Sequence, residues 1–160
     1  MKYILVLLTF LSFSAFAEKT MSLHPDFPII EGEYQITKTW SISLDQKYNR
    51  RIEDGSMVIW RPGVTVWLIA WGNDDNKSIQ ERINNTKIDI SNKAYNYLEK
   101  IDNNVGKIRY FLKEVENSNS QIGLNGLLFN KNGHLQVSIY YDKSSDESLV
   151  KKLFDSIKEK

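Results

Sequence analysis

Residues 58–74, VIWRPGVTVWLIAWGND, place three of the chain's four tryptophans around a single Arg-Pro-Gly. The reading of this stretch decides the fold. MVIW (57–60) is a short apolar run, and Pro62-Gly63 suits a turn, because proline presets one corner and glycine accepts positive φ at the next. Beyond the turn, Val64, Val66, Leu68 and Ala70 share one face of a strand, while Thr65, Trp67, Ile69 and Trp71 share the other. Both faces are apolar, which predicts a hairpin whose second strand is covered on both sides. Trp67 and Trp71 then stand roughly 13 Å apart at about 3.3 Å per residue, too far for both rings to clasp one small ligand. Core tryptophans are the plain expectation, with Trp67 the deepest. The sharper alternative is a groove or partner surface that leaves Trp60 or Trp71 exposed. Arg61 joins these two as a candidate contact, since a guanidinium stacks on rings or pairs with carboxylates. Its plainer role is structural pairing at the turn.

Upstream, YQITKTWSISL (34–44) puts Tyr34, Ile36, Trp40, Ile42 and Leu44 at one parity, the period of a half-buried strand. DQKYNRRIEDGS (45–56) reads as a loop. EKTMSLHPDFPIIEGE (18–33), with His24 and two of the three prolines, reads as an irregular arm. Downstream, Ser78 and Glu81 have capping-box spacing and open a short helix. Residues 93–115 fit a helix through Ala94, Leu98 and Ile101, or a hairpin about IDNNVG; the alternation of KIRYFLKEV favours the hairpin. QIGLNGLLF and HLQVSIYYD flank NKNG, a second hairpin signal. At the end, Ser144 and Glu147 repeat the capping-box spacing, and Leu149, Val150, Leu153, Phe154 and Ile157 form one apolar stripe. That stripe predicts an amphipathic helix lying on a sheet. The expectation is one α+β domain over 34–160, a mostly antiparallel sheet packed by a short middle helix and a C-terminal helix.

This order of elements, with WSISL early, MVIWRPGVTVWLIAWGND in the middle and HLQVSIYYDKSSDESLVKKLFDSIK at the end, resembles the PsbP-like fold of small exported bacterial proteins. The resemblance spans roughly 34–158. It implies an α/β/α sandwich with binding or accessory roles, and brings no set of functional residues with it.

The first seventeen residues, MKYILVLLTFLSFSAFA, combine Lys2, an apolar run and Ala15-Phe16-Ala17, the pattern of a cleaved secretory leader. This predicts a periplasmic or secreted protein. Cysteine is absent, so neither a lipid-bearing N-terminal cysteine nor a disulfide is available. Loss of Lys2 takes the 21 basic side chains to 20, equal to the acidic ones, which leaves no basic footprint for nucleic acid. After cleavage no segment remains to span a membrane.

Catalytic vocabulary is sparse. His24 and His134 have no ligand spacing between them, so no metal site is expected. The Asn73–Asn76 run lacks the spaced ligands of a calcium loop, and no nucleophile elbow or phosphate-cradling glycine pattern occurs. The expectation is a non-enzymatic protein without cofactor that binds another protein, an immunity protein or inhibitor of a toxin being one form. A carrier of a small apolar or aromatic ligand is the alternative, because pockets are lined mainly by large apolar groups.

Overall fold

The computed structural model describes residues 22–73, 76–90, 94–102, 104–112, 122–142 and 147–160; for 88–90, 94–96, 112 and 122 it describes the backbone alone. The strands are β1 (Ile29–Gln35), β2 (Trp40–Glu53), β3 (Ser56–Arg61) and β4 (Val64–Gly72), then, after helix α1 (Ile79–Ile90), β5 (Ala94–Asp102), β6 (Val105–Leu112), β7 (Ile122–Asn130) and β8 (Gly133–Tyr141). Helix α2 (Glu147–Asp155) and the short β9 (Lys158–Glu159) follow. All strands join one antiparallel sheet in the order β1-β2-β3-β4-β8-β7-β6-β5, with β9 paired to β2.

The expected α+β sandwich of PsbP-like type is corrected by this architecture. Strand makes up 61% of the described residues and the two helices are short, so the fold is β-rich. Segments read as arm and loop supply the difference. Residues 45–53 belong to β2, where Asn49–Glu53 pair with Ser56–Trp60 of β3. Their many polar side chains conceal a strand whose partners alone determine it. Likewise the arm becomes strand from Ile29 onward. The strand expected over 34–44 is instead two strands joined by a turn. There the Thr37 hydroxyl accepts from the backbone N–H of Thr39 (3.2 Å) and of Trp40 (3.1 Å), offering the backbone a local alternative to the ladder.

The Arg-Pro-Gly hairpin forms as expected, with Arg61 opposite Val64 and Gly63 at φ 79°, the conformation that a type II turn requires of its third residue. Asp54 (φ 48°) and Gly55 (φ 79°) make the β2–β3 turn, both at positive φ as in a type I′ hairpin. The β5–β6 and β7–β8 hairpins also stand where alternation placed them. Ser78 and Glu81 cap α1 reciprocally: Glu81 N–H donates to Ser78 Oγ (3.2 Å) and Ser78 N–H to Glu81 Oε2 (2.8 Å). Ser144, the proposed cap of α2, lies outside the described residues, as do 1–21 and 113–121.

Helix α2 packs on β2, β7 and β8 through Val150, Leu153 and Phe154. β2 and β7 are four places apart in strand order, about 19 Å along a flat sheet at roughly 4.8 Å per strand. A nine-residue helix is only about 13 Å long. The sheet therefore curls around α2, and the enclosed face holds the main core, including Trp40, Ile42, Tyr48, Val66, Leu68, Val137 and Ile139. Helix α1 covers the opposite, outer face over β6 and β7, where Ile83, Ile108 and Phe129 form a smaller core. Among the described residues no helix is long and apolar enough to cross a membrane.

Candidate functional site

The outer face beyond α1 is the surface that the core leaves unused. Register brings its residues together: Trp60 lies opposite Thr65, Thr65 opposite Tyr140, Trp67 opposite Ser138, Ile69 opposite Gln136 and Trp71 opposite His134. β4 is thus covered on one face only. Val64, Val66 and Leu68 are buried against the α2 side, whereas Thr65, Trp67 and Ile69 are half-buried and Trp71 is 53% exposed. The expectation of cover on both sides fails because α1 sits over β6 and β7 and leaves the outer side chains of β4 half-buried or exposed.

The three candidate contacts part company. Arg61 points to the enclosed face, where its Nε donates to the Tyr48 hydroxyl (3.3 Å) and its guanidinium lies 5.5 Å from the Tyr48 ring centroid. It is a structural pair at the turn. Trp60 is on the outer face but already engaged: Phe27 of the arm meets it edge-on at 4.9 Å, and the Arg51 guanidinium lies 4.8 Å from its centroid. Trp71 ends β4 roughly 20 Å away, six residues beyond Thr65. It stacks on His134 at 6.3 Å, and His134 in turn tilts against Phe129 at 5.6 Å. Tyr140, 36% exposed and opposite Thr65, completes the surface and was not among the candidate contacts. Its position at an outward parity of β8 was the available signal.

Arg82 organises the Trp71 end. It is buried, and its guanidinium donates to the carbonyls of Gly133 (2.8 Å) and Asn130 while lying 5.4 Å from the Phe129 centroid. One cation thus ties α1 to the β7–β8 turn. Half-burial of the imidazole, and then the Arg82 charge, hold the His134 pKa below the usual histidine value. A histidine with a depressed folded-state pKa favours the fold fully above its unfolded value near 6.5, and loses that contribution as pH falls toward the folded value. Stability is therefore expected to decline as pH falls below about 6.5, and His134→Gln to flatten that slope in urea melts. An unchanged slope would remove His134 as its cause.

A cleft of about 900 Å³ opens beside Arg82 between the start of α1, the β7–β8 turn and β9, lined by Lys77, Lys131, Lys160 and Glu159 among others. A smaller one of about 270 Å³ separates Trp71 and Ala70 from Thr37, Lys38 and Thr39. A third, of about 520 Å³, lies between β5 and β9 with Lys100, Lys107, Asp102 and Asp155 in its walls. Among the described residues no group of three or more His, Asp or Glu is placed to hold a metal ion.

No family model matches this chain, and no curated protein matches it. Among solved structures, it is similar to the 1.50 Å crystal structure of a protein from Bacteroides thetaiotaomicron VPI-5482, with a TM-score of 0.52 and 13% sequence identity. The likeness covers 82% of this chain and 49% of that one, so this chain spans about half the length of the protein it matches. At that identity the similarity is one of fold alone.

Proposed function

We propose that this chain is an exported protein that works by binding another protein, which docks on the Trp71 end of the outer face. The exposure of Trp71 carries the reading. A tryptophan half in solvent, backed by His134 and continuous with Ile69 and Trp67, is the kind of side chain that anchors interfaces, where Trp, Tyr and Arg dominate the binding energy. An immunity protein or inhibitor acting on a toxin in the same compartment is the concrete form we favour, the leader pattern of residues 1–17 supporting export. A carrier site at Trp71 has less support. The cleft that touches Trp71 is about 270 Å³ and is walled on one side by Thr37, Lys38 and Thr39, whereas small-molecule pockets run to about 300–1,000 Å³ with mostly apolar linings.

The test is a titration of the purified chain against a candidate toxin, such as the product of a neighbouring gene. Trp71→Glu is expected to weaken binding by about 30-fold, the equivalent of a hot-spot loss, while its melting curve still shows a folded, cooperative chain. Equal affinity of Trp71→Glu and the native chain would place the interface elsewhere.

A further inference from the structure

Asn49 is fully buried in the middle of β2, on the outer face, and its carboxamide is spent on the arm. Its Oδ1 accepts from the backbone N–H of His24 at 2.7 Å. Its Nδ2 donates to the carbonyls of His24 at 2.9 Å and Phe27 at 3.1 Å. An amide that takes both the N–H and the C=O of one residue reads peptide backbone, and is indifferent to the side chain there. The His24 carbonyl also accepts from Phe27 N–H (3.4 Å), closing a turn over Pro25 and Asp26. That turn delivers the Phe27 ring to Trp60, and Pro28 O then accepts from Arg50 N–H (3.0 Å).

Everything that grips the arm thus belongs to the sheet, on β2 and β3, and the arm residues around the grip are themselves exposed: Ser22, His24, Pro25, Asp26 and Pro28. Backbone bonds supply the attachment and one aromatic ring supplies the selectivity, the division of labour found in peptide-recognition sites. We propose that Asn49 and Trp60 form a peptide-binding site, which the chain fills with its own His24–Pro28 turn and which also accepts a segment of another protein with the same chemistry. That chemistry is a proline-containing turn followed, three residues after the gripped backbone, by an aromatic side chain. The site lies at the opposite end of the outer face from Trp71, so it stands apart from the docking surface proposed above.

The experiment uses the full chain with Phe27→Ala and a fluorescent synthetic peptide of residues 22–28. The substitution leaves every strand intact, frees the Trp60 ring and reduces the hold on the arm to the backbone bonds of Asn49, so that a competing segment displaces it more easily. The peptide is expected to bind this variant at least about 10-fold more tightly than the native chain, whose site is filled in cis. A peptide with Ala in place of Phe27, and one N-methylated at His24, are each expected to bind at least about 10-fold more weakly than the parent. Should the variant fail to fold, the native chain is titrated with millimolar peptide while the indole N–H resonances are followed by NMR, and the shift is expected at Trp60 and not at Trp71. Overturning results are equal binding of the parent and altered peptides, or no response of the folded variant or of Trp60 to millimolar peptide.

Discussion

Trp40→Ala is expected to lower the stability of the chain by about 3–5 kcal/mol, and Trp67→Ala by only about 1–2 kcal/mol, in parallel denaturant melts. Trp40 opens β2 on the face that curls around α2, is 2% exposed, and packs within the cluster that holds Ile157 and Phe154. Cutting it to alanine removes the transfer energy of an indole and leaves a cavity that the sheet curled around α2 collapses only in part. Trp67 lies on the outer face, half-buried, where solvent already reaches part of the ring and no void is sealed in. The sequence places Trp67 in the core, mid-strand among apolar neighbours, and the structure moves it to the half-buried face. Equal losses for the two variants would mean that the outer face is covered as completely as the inner one.

Gly133→Ala is expected to cost up to about 3 kcal/mol, the upper end for overpacking. A Cβ at Gly133 would fall closer than 3.0 Å to the Trp71 carbonyl oxygen, with the Trp71 carbonyl carbon at 3.1 Å and Gly72 Cα at 3.2 Å. All three atoms are backbone of β4, so no side-chain rotation relieves the overlap and the two strands must part. Their separation also disturbs the Gly133 carbonyl that Arg82 grips and the stacking of Trp71 on His134. Gly123→Ala is the control: its nearest neighbour is Asn125 Nδ2 at 3.5 Å, an ordinary contact, and its melt is expected to match the native chain. If the two glycine variants melt together, close approach of β4 and β8 is not what Gly133 serves.

Local chemistry was legible along most of the chain. The Pro62-Gly63 turn, the Ser78–Glu81 cap, the alternation of β6 and β8 and the stripe of α2 each carry their signal in a few adjacent residues. What escaped depends on partners far away. Residues 45–53 look like loop because Gln46, Lys47, Arg50 and Arg51 have no apolar rhythm, yet β3 pairs with their second half. Which face of β4 is wet follows from where α1 settles, and nothing in VTVWLIAW encodes that. Trp71 and Trp60 both lie on the outer face, whereas Arg61 turns inward, where Tyr48 offers it a hydroxyl and a ring. Asn49 went unnoticed, because a lone asparagine in a polar stretch gives no sign that it grips an arm.

The pairing of β9 with β2 has a consequence in time. Trp40 and Ser41 receive as partners Glu159 and Lys158, and Asn130 at the β7–β8 turn hands its amide to Glu159 (2.7 Å). The ribosome must therefore reach Glu159 before the pairing of β2, made more than a hundred residues earlier, is complete. Until then the face that buries Trp40 has neither α2 nor its closing strand, and stays open to water. Contacts between such distant parts of a chain form slowly, because the loop between them must be closed before they repay it. A nascent chain of this design stays unfinished until Lys158 and Glu159 have been made.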